Sequence, residues 1–265
     1  MILSIKHTTS YSYEEGLTHA QQQIRLKPSS NLLQKVLNWD VDVEGGQIEL
    51  IYPDQFDNQT MLIQAKCGQN KIKITAHGKV ETIDKIGVLD GKNELIPPGY
   101  FVKKTPRTLA GAGIKSIAGK VGNKTNLITE LHSLSNIILK AVPYCSTITT
   151  TETTAEEAFK AGVGVCQDHA QIFISVLRHL SIPARYVSGY LLTEDSVSHE
   201  ASHAWSEVFI KGLGWVGFDV SNGVSPDERY VRLAVGLDSF DAAPIRGIRV
   251  GGQNESMLVS LQIQQ

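Results

Sequence analysis

At 265 residues, with 42% hydrophobic and 20% charged positions, the chain has room for one large domain or two smaller ones and an ordinary globular composition. A formal net charge of -2 excludes a general electrostatic pull toward nucleic acid or acidic membranes. No apolar run approaches the roughly 20 residues that a membrane helix requires.

The opening "MILSIKHTTSYSYEE" has neither the basic n-region nor the apolar h-region of a secretory signal and reads as a strand. Three scattered cysteines, Cys67, Cys145 and Cys166, cannot all pair within one chain. They point away from a disulfide framework and toward a reducing cytoplasm. Residues 1–95 hold short β-branched runs of alternating polarity: "ILSIKHTTSYSY", "QQQIRLKP", "VLNWDVDVEGG", "QIELIYPDQF", "TMLIQAKCGQ" and "KIKITAHGKVETI". Bounded by Asn, Asp, Gly and Pro, they predict an all-β amino-terminal domain. Residues 96–125, with Pro97, Pro98, Pro106 and several glycines, read as an extended linker.

Helical signals follow, opening a second domain over 126–265. "NLITELHSLSNIILKAV" places Leu127, Leu131, Leu134, Ile138 and Val142 on one helical face. In "TTAEEAFKAGVG", Thr154 precedes Glu157 by three residues, a capping-box spacing, and Gly162 is a stop. "CQDHAQIFISVLRHLSIPAR" predicts a helix from Cys166 to about Leu180, ended by Pro183. Strands "ARYVSGYLL", "HAWSEVFI" and "WVGFDVS" come next, the last two joined by the hairpin-like "KGLG". "SMLVSLQIQ" is a strand candidate in the tail. There is no internal repeat.

Two chemistries compete around residue 203. His199-Glu200-Ala201-Ser202-His203 spells H-E-x-x-H, the signature of a zinc metallopeptidase. It works only on a helix, where residues i and i+4 reach one ion; on a strand, two pleats hold the imidazoles apart. Loop-like "TEDSVS" before it and the β-rich run after it argue against a helix, and Glu228 is a weak third ligand. The alternative centres on Cys166. A thiol at a helix N-terminus faces the positive end of the dipole, which favours the thiolate, and Gly162 and Gly164 leave its approach uncluttered. A buried, inert cysteine is the bland reading. A nucleophile needs a base and the base an orienter. If "KGLG" closes the hairpin, position 203 falls roughly opposite 221, bringing Asp219 within reach of His203. Cys, His, Asp is the chain order of papain-like sites. Asp168 reads as a helix-terminus stabiliser, His169 as structural or solvent-facing, and Trp205 and Trp215 as either cleft or core.

At these residues the chain resembles bacterial transglutaminase-like proteins of the cysteine-protease type. "GVGVCQDHAQIFISVLRHLSIPARYVSGYL", "SHAWSEVFIKGLGWVGFDVSNG" and "YVRLAVGLDSFDAAPIRG" carry the likeness. "IKHTTSYSY", "QQQIRLKP" and "DQFDN" resemble the β-rich domain that precedes their catalytic domain. The resemblance implies an α+β fold: a papain-like transglutaminase core of helices plus antiparallel sheet behind an all-β domain. It implies Cys166 as nucleophile, His203 as general base and acid and Asp219 as its orienter, acting on amide bonds of peptide or protein substrates through a thioester. Hydrolysis is favoured over cross-linking, with no cofactor, metal, nucleic acid or membrane partner. The family's Asp-Pro-Thr-Asn reads Asp219-Val220-Ser221-Asn222 here, and its Gly-Arg-Asp reads Gly236-Leu237-Asp238. No tryptophan stands in the few dozen residues before Cys166, so Tyr144, Gln167 and Trp205 are the cleft and oxyanion candidates. A non-catalytic peptide-binding module on the same fold is the alternative function.

Overall fold

Alternating apolar runs become strands because every second side chain can be buried against a second layer. The computed structural model describes residues 1–90, 95–122, 126–146, 148–193, 198–199 and 202–265. The amino-terminal runs form β1 (Ile2–Ser12), β2 (Leu17–Ile24), β3 (Gln34–Glu44), β4 (Gly46–Pro53), β5 (Gln59–Ala65) and β6 (Lys71–Thr82). In β1 the alternation is strict: Leu3, Ile5, His7, Thr9 and Tyr11 are buried and their neighbours are not.

The tail contributes β13 (Ile245–Gly251) and β14 (Ser256–Gln264), which pair antiparallel with β2 and β1. Two sheets result, one in the order β3-β6-β1-β14 with the two-residue strand Ser198–His199 beside β14, the other β13-β2-β5-β4, sharing one core that includes Ile5, Ile24, Ile63 and Ile74. The last strands of the stretch expected to be catalytic, 126–265, therefore complete the amino-terminal sandwich. Without them β1 and β2 would be open sheet edges.

The segment expected to be an extended linker is packed instead. It carries 3-10 turns at Pro98–Val102 and Pro106–Thr108 and the helix α1 (Ala112–Ala118), with Phe101 and Ile114 fully buried. The buried Arg178 side chain fastens it by donating to the Phe101 carbonyl and to Thr108 Oγ1. Burial lowers the pKa of this guanidinium to about 10, against the raising effect of Asp238 and Asp241.

The remaining helices are α2 (Leu127–Ala141), α3 (Ala155–Ala161) and α4 (Cys166–His179). Thr154 and Glu157 form the expected capping box on α3, and Gly162 ends it in the left-handed region at φ 68. α4 is wrapped by α1, α2 and α3 and lies on a sheet ordered β12-β8-β10-β11-β7. Those strands are β7 (Val88–Leu89), β8 (Ala184–Leu191), β10 (His203–Ile210), β11 (Gly214–Phe218) and β12 (Tyr230–Gly236). Its residues from Asp168 to Arg178 are all buried, more than one apolar face. A buried cluster links three strands: Glu207 accepts from Arg185 at 2.6 Å and Arg232 at 3.1 Å. Arg185 also lies 3.9 Å over the Trp215 ring, which is core. The β10–β11 ladder runs from Ile210↔Gly214 to Ser206↔Phe218, the register that "KGLG" predicts. Among the described residues no helix is long and apolar enough to cross a membrane.

Candidate active site

Cys166 is the first residue of α4 and is partly exposed. Its backbone N–H is one of those that no earlier turn can satisfy. The chain ahead of it is held by Asp168, whose Oδ2 accepts from the Val165 N–H at 2.8 Å and from Thr149 Oγ1 at 2.7 Å. Gly164 is required there, because a Cβ would stand 2.8 Å from that of Asp168. Tyr144 pairs with Gly164 in a parallel bridge, and the Cys145 N–H donates to the Gly164 carbonyl at 2.8 Å. Tyr144 is 58% exposed, and its pKa is raised by partial burial and then by charge at Cys166. It thus flanks Cys166 in the open.

His203 opens β10, and its Nε2 donates to Asp219 Oδ2 at 2.6 Å. Cys166 acts on the same ring as hydrogen-bond partner and as charge, which leaves Nδ1 as the nitrogen for the sulfur. Burial disfavours the imidazolium, but Asp219 and Cys166 outweigh it and raise the His203 pKa to about 10. For Asp219, burial is likewise outweighed, by His203, Asn222 and Tyr230, and its carboxyl is held below the usual range. Sulfur, imidazole and carboxylate therefore converge from α4, β10 and the end of β11.

Asp219 is held from several sides. Its Oδ2 also accepts from Asn222 Nδ2 at 2.7 Å and from the Tyr230 hydroxyl at 2.8 Å, and its backbone pairs with Val224. Asn222 stood in the "DVSN" stretch as a position shared with the family's Asp-Pro-Thr-Asn, but no role was read from it; nothing local marked Tyr230. His169 is fully buried rather than solvent-facing. Its Nε2–H donates to the Val142 carbonyl at 2.7 Å, so Nδ1 accepts from Ser221 Oγ at 2.8 Å. Burial lowers its pKa despite that carbonyl, consistent with the neutral tautomer. The hydroxyl of Ser221 thus serves as a strap between α4 and the Asp219 turn.

The expected cleft residues divide. Gln167 donates its amide to the carbonyls of Thr150 and Thr151 at 3.3 and 3.5 Å. Trp205 does not line an open groove: it is 3% exposed, stacks on His203 with centroids 6.3 Å apart, and belongs to an apolar cluster with Phe56 and Phe101. It shares the strand face of His203, and its apolar indole is better buried than wet. For the zinc signature, His199 lies in the two-residue strand β9 (Ser198–His199) and His203 in β10, so no helical face presents both. Glu200 lies outside the described residues, and the Glu228 carboxylate is 3.9 Å from the amino terminus.

A helix presenting a cysteine to a His-bearing antiparallel sheet, behind a β-sandwich, is the architecture of a transglutaminase-like protein. Residues 115–220 match the transglutaminase-like superfamily core and 3–81 the bacterial transglutaminase-like N-terminal region. The crystal structure of "a Putative Cysteine Protease from Cytophaga hutchinsonii" shares the fold with a TM-score of 0.78. It is 21% identical, and the match covers 100% of this chain and 98% of that one. An uncharacterized Mycobacterium leprae protein is 27% identical over 94% of this chain and 93% of its own length. One from Mycobacterium tuberculosis is 34% identical over 51% of this chain and 46% of its own length. The chain belongs to the transglutaminase-like superfamily.

Proposed function

We propose that the protein is a cysteine protease or amidase that cleaves amide bonds of peptide or protein substrates through a thioester. The observation that carries this reading is the convergence of Cys166, His203 and Asp219, with the sulfur partly exposed and the imidazole held by the Asp219 carboxylate at 2.6 Å. The Cys166 thiolate attacks the substrate carbonyl carbon, and the electron pair moves to the carbonyl oxygen. The backbone N–H of Cys166 receives that oxyanion, with the exposed Tyr144 hydroxyl as the second candidate donor. As the tetrahedral intermediate collapses, the C–N bond breaks and His203 gives its Nδ1 proton to the leaving amine. Neutral His203 then takes a proton from water as the water attacks the thioester. The acid product leaves, and the thiolate–imidazolium pair is restored. Partial exposure of Cys166 and of the His203 side chain, 15%, gives water access, which favours hydrolysis over aminolysis.

The test is an activity profile with glutamine peptides and amine acceptors, following ammonia release, cleavage and ligation. Cleavage or ammonia release that disappears in Cys166→Ala supports the proposal. Turnover that survives the substitution rejects it. Binding of the same peptides without turnover would instead support a non-catalytic binding module.

A further inference from the structure

β12 is the edge strand of the catalytic sheet, and its outer edge has no strand beside it. Unpaired backbone groups there would be buried under the amino-terminal sandwich, at a cost for each. Two side-chain amides from that sandwich stand in for the missing strand. Gln34 donates Nε2 to the Arg232 carbonyl at 2.9 Å and accepts the Arg232 N–H on Oε1 at 2.8 Å. Asn58 does the same at Val235, donating to its carbonyl and accepting its N–H, both at 2.8 Å. Each amide copies the pair of bonds a neighbouring peptide would make. The two clamped residues flank the register shift between Arg232 and Ala234, where a ladder alone would leave the strand free to slip.

Both clamps are themselves braced. Asn58 Nδ2 also donates to Asp54 Oδ2 at 3.1 Å, and that oxygen accepts from the buried Arg25 at 2.7 Å. Gln34 Nε2 also donates to the Ser29 carbonyl. Thr82 Oγ1 donates to the Glu228 carbonyl at 2.5 Å, two residues before the start of β12. The first residue of β12 is Tyr230, whose hydroxyl donates to the triad carboxylate. An unbroken line of contacts thus runs from the sandwich through β12 to Asp219 and His203.

We propose that Gln34 and Asn58 are positioning residues for the triad: the amino-terminal domain fixes β12, and through Tyr230 it fixes the carboxylate that orients His203. This rests on the proposed roles of Cys166 and His203. It also gives the β-rich domain a part in the chemistry, beyond covering the sheet.

The test uses the full chain with Gln34→Leu, Asn58→Leu and Tyr230→Phe, and Ile74→Val as a control that loosens the sandwich core while leaving both amide clamps in place. Two readouts are taken at matched folded fractions: the rate of Cys166 alkylation by iodoacetamide at pH 7, and the proton NMR signal of the His203 Nε2–H. The expected result is a loss of alkylation rate of about fivefold in the three test variants, with a broadened imidazole signal, and no change in the control. Equal loss in the control, or none in the amide variants, overturns the proposal. Slow wild-type labelling with an intact His203 signal that the amide variants broaden would keep the positioning role and reject the nucleophile.

Discussion

His203 and Asp219 show how one hydrogen bond biases the charge of both its partners. The pair is buried, which alone would favour neutral forms, yet the contacts favour the charged ones. For His203 the folded pKa, about 10, lies above the unfolded value near 6.5, so the folded state holds its proton more tightly. The stability this contributes is full below pH 6.5 and is lost as pH rises through 10. The wild-type Tm should therefore fall between pH 6 and pH 10, and His203→Gln should flatten that fall. An unchanged slope would mean that the pair contributes nothing. Asp219→Asn keeps the shape but removes the charge and should slow turnover roughly 10²- to 10⁴-fold, read as kcat on any substrate that Cys166 cleaves. At this scale the places of Cys166, His203 and Asp219 were legible, because helix start, strand start and hairpin register each follow from local pattern. Tyr230 was not: its role exists only once β12 is folded beside the Asp219 turn. Trp205 showed the converse, since an aromatic beside a triad histidine looks the same in sequence whether it faces solvent or core.

Among the elements, those with a long apolar period, a capping box or a hairpin turn were legible, and α1 was not. α2 and α4 carry 15 and 14 residues of clear pattern, while α1 has seven between glycines and hides in a Pro-rich stretch. β12 and β13, "YVRLAVG" and "IRGIRVG", lack a clean alternation because one is buried on both faces and the other is largely exposed. The strap from α4 to the Asp219 turn belongs to the same scale. His169 and Ser221 join two elements whose relative placement sets the distance from sulfur to imidazole. Ser221→Ala leaves the buried His169 Nδ1 without its donor and should cost about 1–3 kcal/mol in urea unfolding. Ser221→Thr retains the hydroxyl and should recover most of that stability. Equal losses for the two variants would show that the hydroxyl is not what matters.

At the scale of the whole molecule, the two parts of the chain are interleaved rather than strung in series. Nothing in "SMLVSLQIQ" says which strand it will meet, since pairing partners 250 residues apart leave no local trace; yet Thr9↔Val259 and Ile5↔Ile263 close the first sheet with the last strand. The junction between the parts is also polar at its centre. His7 of β1 is buried and bonds Tyr190 of β8 through Nδ1 at 2.9 Å, with Thr9 on Nε2 at 3.2 Å, while Trp39 stacks on the same tyrosine. Burial lowers the His7 pKa from 6.5 to about 4, so the folded protein keeps it neutral while the unfolded chain takes up a proton below pH 6.5. Stability is therefore withdrawn as pH falls from 6.5 through 4, by about 3 kcal/mol at the acid limit. His7→Asn, which does not titrate, should lose less stability than the wild type between pH 7 and pH 4.5 in urea unfolding, even if it starts lower. Because His7 spans the sandwich and the sheet that carries His203, the acid loss should show first as faster proteolysis near Tyr190, before the helical signal falls. A wild-type and variant pair with parallel pH dependence would place the acid sensitivity elsewhere.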